Sequence, residues 1–361
     1  MAKRIQFNLL QGLMFTLLAT GSSLAQDQGI QPPSLGQQAS YSEYWEQQFL
    51  FDDGTFVTSQ FLITNLPISK HHGIQIGTLV GNSTQAYGGR VIIKNGRPRD
   101  SWGFEPTKQS LSIFSHVLAG QHPGYLMRLA NTAAELDVLF SAGEDAIELV
   151  APNGPFGLPQ ITLYAPLSQA FARWRPGPEI GGDAEAIDWI KIGHGHGIGV
   201  HVRQTHELHK SIRRWTRMTG TKSSAGVPVP VLHQFVTPRG ETSTVLLLLS
   251  LSSPPQRFDN VTLIEKKTGT TWNLQASMEG QRIIGTVVID KPLDHFILKD
   301  HLSGIEKLVA GASADIDRTQ TIARYTLSLE TATGTKQLTG DAIFEDVIVG
   351  EGRRKRNRRL R

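Results

Sequence analysis

The chain has 361 residues, 39% of them apolar and 19% charged, with no cysteine. That composition excludes a disordered acidic protein, a disulfide scaffold and any metal centre held by cysteine. The formal net charge of +4 sits at the ends: residues 353–361 carry seven positive charges, Lys3 and Arg4 carry two, and removing those nine leaves residues 5–352 at −5. A mildly acidic body argues against a nucleic-acid-binding domain.

Lys3 and Arg4 precede an apolar run from Ile5 to Ala19, and Ser23-Leu24-Ala25 ends the segment with a small-x-small pattern. A charged start, a short apolar run and a small-residue cleavage site predict a secretory signal peptide over residues 1–25. The run is shorter than the ~20 residues that span a bilayer. The expected location is therefore periplasmic or secreted, and the expected protein is not transmembrane. Residues 26–40, rich in Gln, Gly and Pro, read as a flexible lead-in. Residues 351–361 read as a basic disordered tail, either solubilising or in contact with an anionic surface.

From Glu43 the pattern alternates. Trp45, Gln47, Phe49 and Phe51 share one face, and Tyr44, Glu46, Gln48 and Leu50 the other. Asp52-Asp53-Gly54 is a turn, because Gly supplies the positive φ that a tight hairpin needs. A second strand follows over Thr55–Asn65. Further short strands are predicted at Gly73–Val80, Arg90–Lys94, Tyr125–Ala130, Ala134–Phe140 and Gln160–Tyr164. The second half continues with Gly197–Arg203, Val231–Val236, Thr242–Leu251, Val261–Lys266, Thr271–Ala276, Arg282–Ile289, Tyr325–Glu330 and Ala342–Val349. Many short strands with frequent turns predict an all-β sandwich or barrel. The one helix expected runs from Thr205 to Met218, with Leu208, Ile212 and Trp215 at i, i+4, i+7. Pro176-Gly177-Pro178 and Gly181-Gly182 mark a seam between halves at 41–185 and 190–350.

No Gly-x-Ser-x-Gly elbow, phosphate-binding loop or His-Glu-x-x-His motif occurs. Gly193, Gly195, Gly197 and Gly199 alternate strictly, which is not dinucleotide-binding spacing. Five of the twelve histidines lie close together: His194, His196, His201, His206 and His209. His194 and His196 would face one way on a strand, His201 the other. The cluster reads as a metal site or as a polar patch at a ligand mouth. Arg213, Arg214 and Arg217 flank Trp215, either holding an anionic head group or lining a solvated face around a packed Trp. Among the aromatics, Tyr44, Trp45 and Phe49 open the first strand, Trp102 follows Pro98-Arg99-Asp100, and Phe171 and Trp174 precede the seam. Each is core or ligand contact.

Tyr41-Ser42-Glu43-Tyr44-Trp45, Asp52-Asp53-Gly54-Thr55-Phe56-Val57 and Thr64-Asn65 together resemble the opening of the tandem lipocalin-like proteins. That superfamily holds the carotenoid 1,2-hydratases, the AttH-type bacterial proteins and the fungal survival factors. Gly199-Val200-His201-Val202-Arg203-Gln204, His209 to Trp215, Phe235-Val236-Thr237-Pro238 and Thr242-Ser243-Thr244 resemble the start of the second barrel in the survival-factor branch. Residues 205–217 depart from that branch in lacking a Pro. The resemblance implies two antiparallel lipocalin-like β-barrels packed in tandem, few short helices, and a cavity for a hydrophobic molecule. It implies Trp45 on the opening strand, and His201, His209 and Trp215 at the barrel junction.

Three functions follow. The first is an extracytoplasmic carrier of a lipid or isoprenoid, with Tyr44, Trp45, Phe49, Trp102, Trp174, His201, His209, Arg214 and Trp215 as candidate contacts and no cofactor. The second is a cofactor-free hydratase or isomerase, in which Asp188 or Glu43, with a raised pKa in an apolar cavity, protonates a double bond. The third is a surface protein docked through the tail.

Overall fold

A computed structural model describes residues 29–350, apart from 67–68, 82–89, 97–101, 152–156, 182–187, 222–226, 267–268 and 298–315. The expected signal peptide and basic tail lie outside the described residues.

The chain folds into two antiparallel sheets. The first holds β1 (Ser42–Phe51), β2 (Phe56–Leu66), β3 (Ser69–Val80), β4 (Arg90–Gly96), β5 (Trp102–Glu105), β6 (Ser110–Ile113), β7 (His116–Gln121), β8 (Gly124–Ala130), β9 (Ala134–Ser141), β10 (Ile147–Val150), β11 (Gln160–Pro176) and β12 (Ile190–Gln204). Its order is β4-β3-β2-β1-β12-β11-β9-β8-β7-β6-β5, with β10 on β11, and it curls into a half-barrel. The second holds β13 (Arg214–Gly220), β14 (Val229–Val236), β15 (Thr242–Ser250), β16 (Ser253–Phe258), β17 (Asn260–Glu265), β18 (Thr271–Met278), β19 (Gln281–Ile297), β20 (Ile316–Thr331) and β21 (Gly334–Val349). Its order, β16-β15-β14-β13-β21-β20-β19-β18-β17, makes a nearly closed barrel. Among the described residues helix is confined to single turns at Pro106–Lys108, Pro178–Gly181 and Leu208–Ser211. No helix among the described residues is long and apolar enough to cross a membrane.

The expected alternation of β1 holds, but both of its faces are covered. Trp45, Phe49 and Phe51 point into the first core with Phe61, Ile63, Phe140 and Trp174. Tyr44 and Leu50 point the other way, into clusters shared with the second barrel. The Asp52–Gly54 turn forms as the sequence predicts, with Gly54 at φ +82° and its N–H donating to the Phe51 carbonyl at 2.9 Å.

Three expectations are corrected. Ile190–Gln204 was expected to open the second barrel, yet it pairs with β1 along Ser42–Phe51 and with β11. The boundary between sheets therefore falls between Gln204 and Arg214, not at the Pro–Gly seam. The alternating glycines supply the reason. A Cβ on Gly197 would sit 1.8 Å from the Gln48 carbonyl oxygen, and one on Gly199 would sit 2.6 Å from the Tyr164 ring. The bare backbone of β12 lets the neighbouring strand and rings of the first core lie against it.

The helix expected over Thr205–Met218 stops after one turn. The Arg213 N–H donates to the Val236 carbonyl at 2.7 Å and the Val349 N–H to the Arg213 carbonyl at 2.9 Å, which draws the chain into the β13 ladder. Leu208, Ile212 and Trp215 still reach one apolar cluster, by a turn and a strand instead of a helix face.

The lead-in, from Gly29 onward, is a strap and not a loose end. Gly29 bridges to Gln121, the Ile30 N–H donates to the Gly120 carbonyl at 3.1 Å, and the Ile30 side chain joins the first core. Burying that side chain is the apolar gain that holds the strap.

The barrels meet across a charged row between two apolar clusters. Arg217 on β13 donates to Glu345 at 2.9 Å within its own sheet and to Glu46 of β1 at 3.0 Å. Gln48 donates to both carboxylates at 3.0 Å, and Gln320 to Glu345 at 2.7 Å. Glu46, Arg217, Glu345, Arg318 and Gln320 are all buried. Burial opposes the Glu46 charge, but Arg217 and then Arg318 hold its pKa below the usual carboxylate range.

Candidate functional site

A pocket of about 310 Å³ opens on the first sheet. β1 contributes Trp45; β11 contributes Gln160, Thr162 and Tyr164; β12 contributes His201 and Arg203; the strap contributes Gly29, Gln31 and Pro32; Ala146 completes the lining. Strand pairing makes the site. Trp45 stands opposite His201 across β1 and β12, and His201 opposite Thr162 across β12 and β11.

The Trp45 and His201 rings stack, with centroids 4.7 Å apart and planes 10° from parallel. His201 Nε2 lies 2.8 Å from Glu43 Oε1. Glu43 is fully buried. Its Oε2 accepts from the Ser34 N–H at 2.8 Å, the Ser34 hydroxyl at 2.7 Å and the Tyr41 hydroxyl. Burial alone would raise the Glu43 pKa; the hydrogen bond and charge of His201, then Tyr41 and Ser34, bring it down to about 2. Glu43 is therefore ionised at neutral pH. A carboxylate only accepts, so His201 Nε2 carries a proton and donates it to Glu43. No group among the described residues bonds to Nδ1. Beneath the pocket Gln47 donates to the Tyr164 hydroxyl at 2.8 Å, and burial keeps that phenol neutral by pushing its pKa up.

Glu43 is thus corrected as a proton donor: its environment lowers its pKa where the acid role needs it raised. Asp188 is exposed, outside any apolar cavity.

Of the nine candidate contacts, the pocket brings together Trp45 and His201. Phe49 and Trp174 are buried in the first core. Trp102 packs against that core from outside and donates its indole N–H to the His71 carbonyl at 2.7 Å. Tyr44 and Trp215 sit in the junction cluster. His209 pairs with Glu207 at 3.3 Å on the connecting turn. Arg214 lies at one end of the second barrel, forked onto Asp346 at 2.7 and 2.9 Å, with Trp272 below its guanidinium at 4.9 Å.

The histidines disperse in the same way. His194 makes an edge contact with Phe171 at 5.6 Å, and His206 pairs with Thr205 at 3.0 Å. No group of three His, Asp or Glu among the described residues is placed to hold a metal ion. Sequence reasoning missed Arg203, Tyr164, Gln160, Thr162 and the strap. The signal for Arg203 was its place two residues from His201 on a strand, which puts both side chains on one face.

No protein-family model and no curated protein matches this sequence. Solved structures do match in fold. CghA, crystallised with Sch210972, superposes at a TM-score of 0.58 with 10% identity, over 89% of this chain and 94% of its own. An AttH-like protein from Nitrosomonas europaea gives 0.51 and 10%, over 85% and 92%. The chain has the tandem lipocalin-like fold of these proteins. Kievitone hydratase from Nectria haematococca gives 0.49 and 11%, over 87% and 90%.

Proposed function

We propose that the protein binds a compact small molecule in the pocket on its first sheet. The observation that carries this reading is the lining itself: the polar groups of His201, Arg203, Gln160 and Thr162 converge on one concave space beside Pro32 and the edges of the buried Trp45 and Tyr164. Ligand sites are concave and carry a few polar groups that fix the ligand's orientation. The CghA crystal with Sch210972 supports ligand binding on this fold. The volume of about 310 Å³ stands at the small end of ligand pockets, which favours a compact molecule over a long-chain lipid or isoprenoid. A thermal-shift screen of small molecules tests the reading against Thr162→Trp, which fills the pocket. Compact stabilisers that lose their effect in the variant support it. Equal stabilisation of both proteins contradicts it.

The Glu43–His201 pair favours a second reading, proton transfer. Nδ1 would take a proton from the ligand while the Glu43 carboxylate, held by Ser34 and Tyr41, steadies the imidazolium. This makes His201 a base, where the sequence offered Glu43 as an acid. Turnover retained in His201→Gln would exclude it.

Residues 1–25 support a periplasmic or secreted location, tested by fractionation of the native host. The charges of 353–361 support contact with an anionic surface; binding to anionic vesicles unchanged on deleting them would remove that part.

A further inference from the structure

The charge of the pocket wall narrows the ligand class. Arg203 is the one fully charged residue in the lining. Its side chain is 35% exposed. Its hold on Glu43 is loose: Nε and Nη2 both reach Oε1 at 3.3 Å, an oxygen His201 already occupies at 2.8 Å. Nη1 reaches Gln160 at 3.4 Å.

Other arginines of this molecule behave differently. Arg214 forks onto Asp346 at 2.7 and 2.9 Å, and Arg173 reaches Asp137 at 2.8 Å. Those are the distances of charge-assisted bonds made for structure. Arg203 makes none of that length among the described residues, and three of its five donors are engaged.

One nearby acid, Glu43, holds Arg203 through Oε1 alone, at 3.3 Å, and the others stand away from it. Glu43 lies under the wall, with Oε2 given to Ser34 and Tyr41. Asp145, beside Ala146, lies against His122 at 3.5 Å. Glu148, across the ladder from Thr162, is exposed and outside the lining. A guanidinium with spare donors, next to an amide and a hydroxyl and beside the edges of Trp45 and Tyr164, matches a carboxylate on a planar body.

We infer that the pocket takes a compact organic anion, its carboxylate on Arg203 with Gln160 and Thr162, and its apolar body on Trp45, Tyr164 and Pro32. The inference rests on the pocket being the ligand site and adds the charge of what enters it.

Calorimetric titration of the full-length protein with trans-cinnamate and with cinnamamide tests it. The two differ at the carboxylate alone. The expected result is at least a tenfold preference for the acid, weakened by salt. Arg203→Gln should abolish that preference, and Arg203→Lys should retain part of it. Equal binding of acid and amide by the unaltered protein overturns the inference and leaves the pocket reading standing. Binding of neither, or equal binding by Thr162→Trp, overturns the pocket reading and the inference with it.

Discussion

Glu43 and His201 meet at 2.8 Å across adjacent strands, and the imidazole is held between that carboxylate and the Trp45 ring. The pair sets the first prediction. The Glu43 pKa falls from its ordinary value of 4.5 to about 2 in the folded protein. A depressed carboxylate pKa contributes stability that is full above the unfolded value and is lost as pH falls through the folded one. The loss should run from about pH 4.5 down to about pH 2 and approach ~3 kcal/mol. Glu43→Gln should flatten the stability profile in that window, measured by urea unfolding at each pH.

Ser34 reaches the same carboxylate from the strap, through its N–H and its hydroxyl. Ser34→Ala removes one charge-assisted bond and should cost roughly 1.5–3 kcal/mol. The Glu43 pKa should rise, moving the acid transition to higher pH. An unchanged transition would mean that the strap does not set the state of the site.

The junction makes a separate prediction. Arg217→Met leaves Glu46 and Glu345 buried without their main cation, which should cost about 3–5 kcal/mol. Replacing the three together, as Glu46→Leu, Arg217→Met and Glu345→Leu, should recover much of that loss, because a buried ion cluster gains little over apolar packing of similar volume. Chemical denaturation of the single and triple variants decides it.

The glycines of β12 give a fourth. Gly197→Ala places a carbon where the Gln48 carbonyl lies, 1.8 Å away, so strands β1 and β12 must part. Overpacking of this kind costs about 1–3 kcal/mol or more. Gly199→Ala meets the Tyr164 ring at 2.6 Å and should reshape the pocket wall as well. Denaturation reads the first effect and ligand affinity the second.

The strands were legible because alternation depends on local contrast between faces, and Trp45, Phe49 and Phe51 show that contrast. The assignment of β12 was not, because its partners are chosen by ring-on-glycine packing between distant segments. Arg214–Gly220 was misread for a related reason. Leu208, Ile212 and Trp215 share one cluster, and spacing alone does not say by which backbone path they reach it. In the site, Trp45 and His201 stood out as unusual residue types. Arg203, Gln160 and Thr162 are ordinary strand polars until register brings them beside His201. Glu43 shows the limit of reading a charge next to an aromatic: the pKa followed from His201, Tyr41 and Ser34, and Ser34 approaches from a strap that composition suggested was loose.

Native mass spectrometry of the protein purified from its own host, beside Thr162→Trp handled identically, tests the central claim most directly. The account predicts a compact molecule bound one to one to the unaltered protein and missing from the variant. An unaltered protein with nothing bound, or the same molecule carried equally by both, would contradict it.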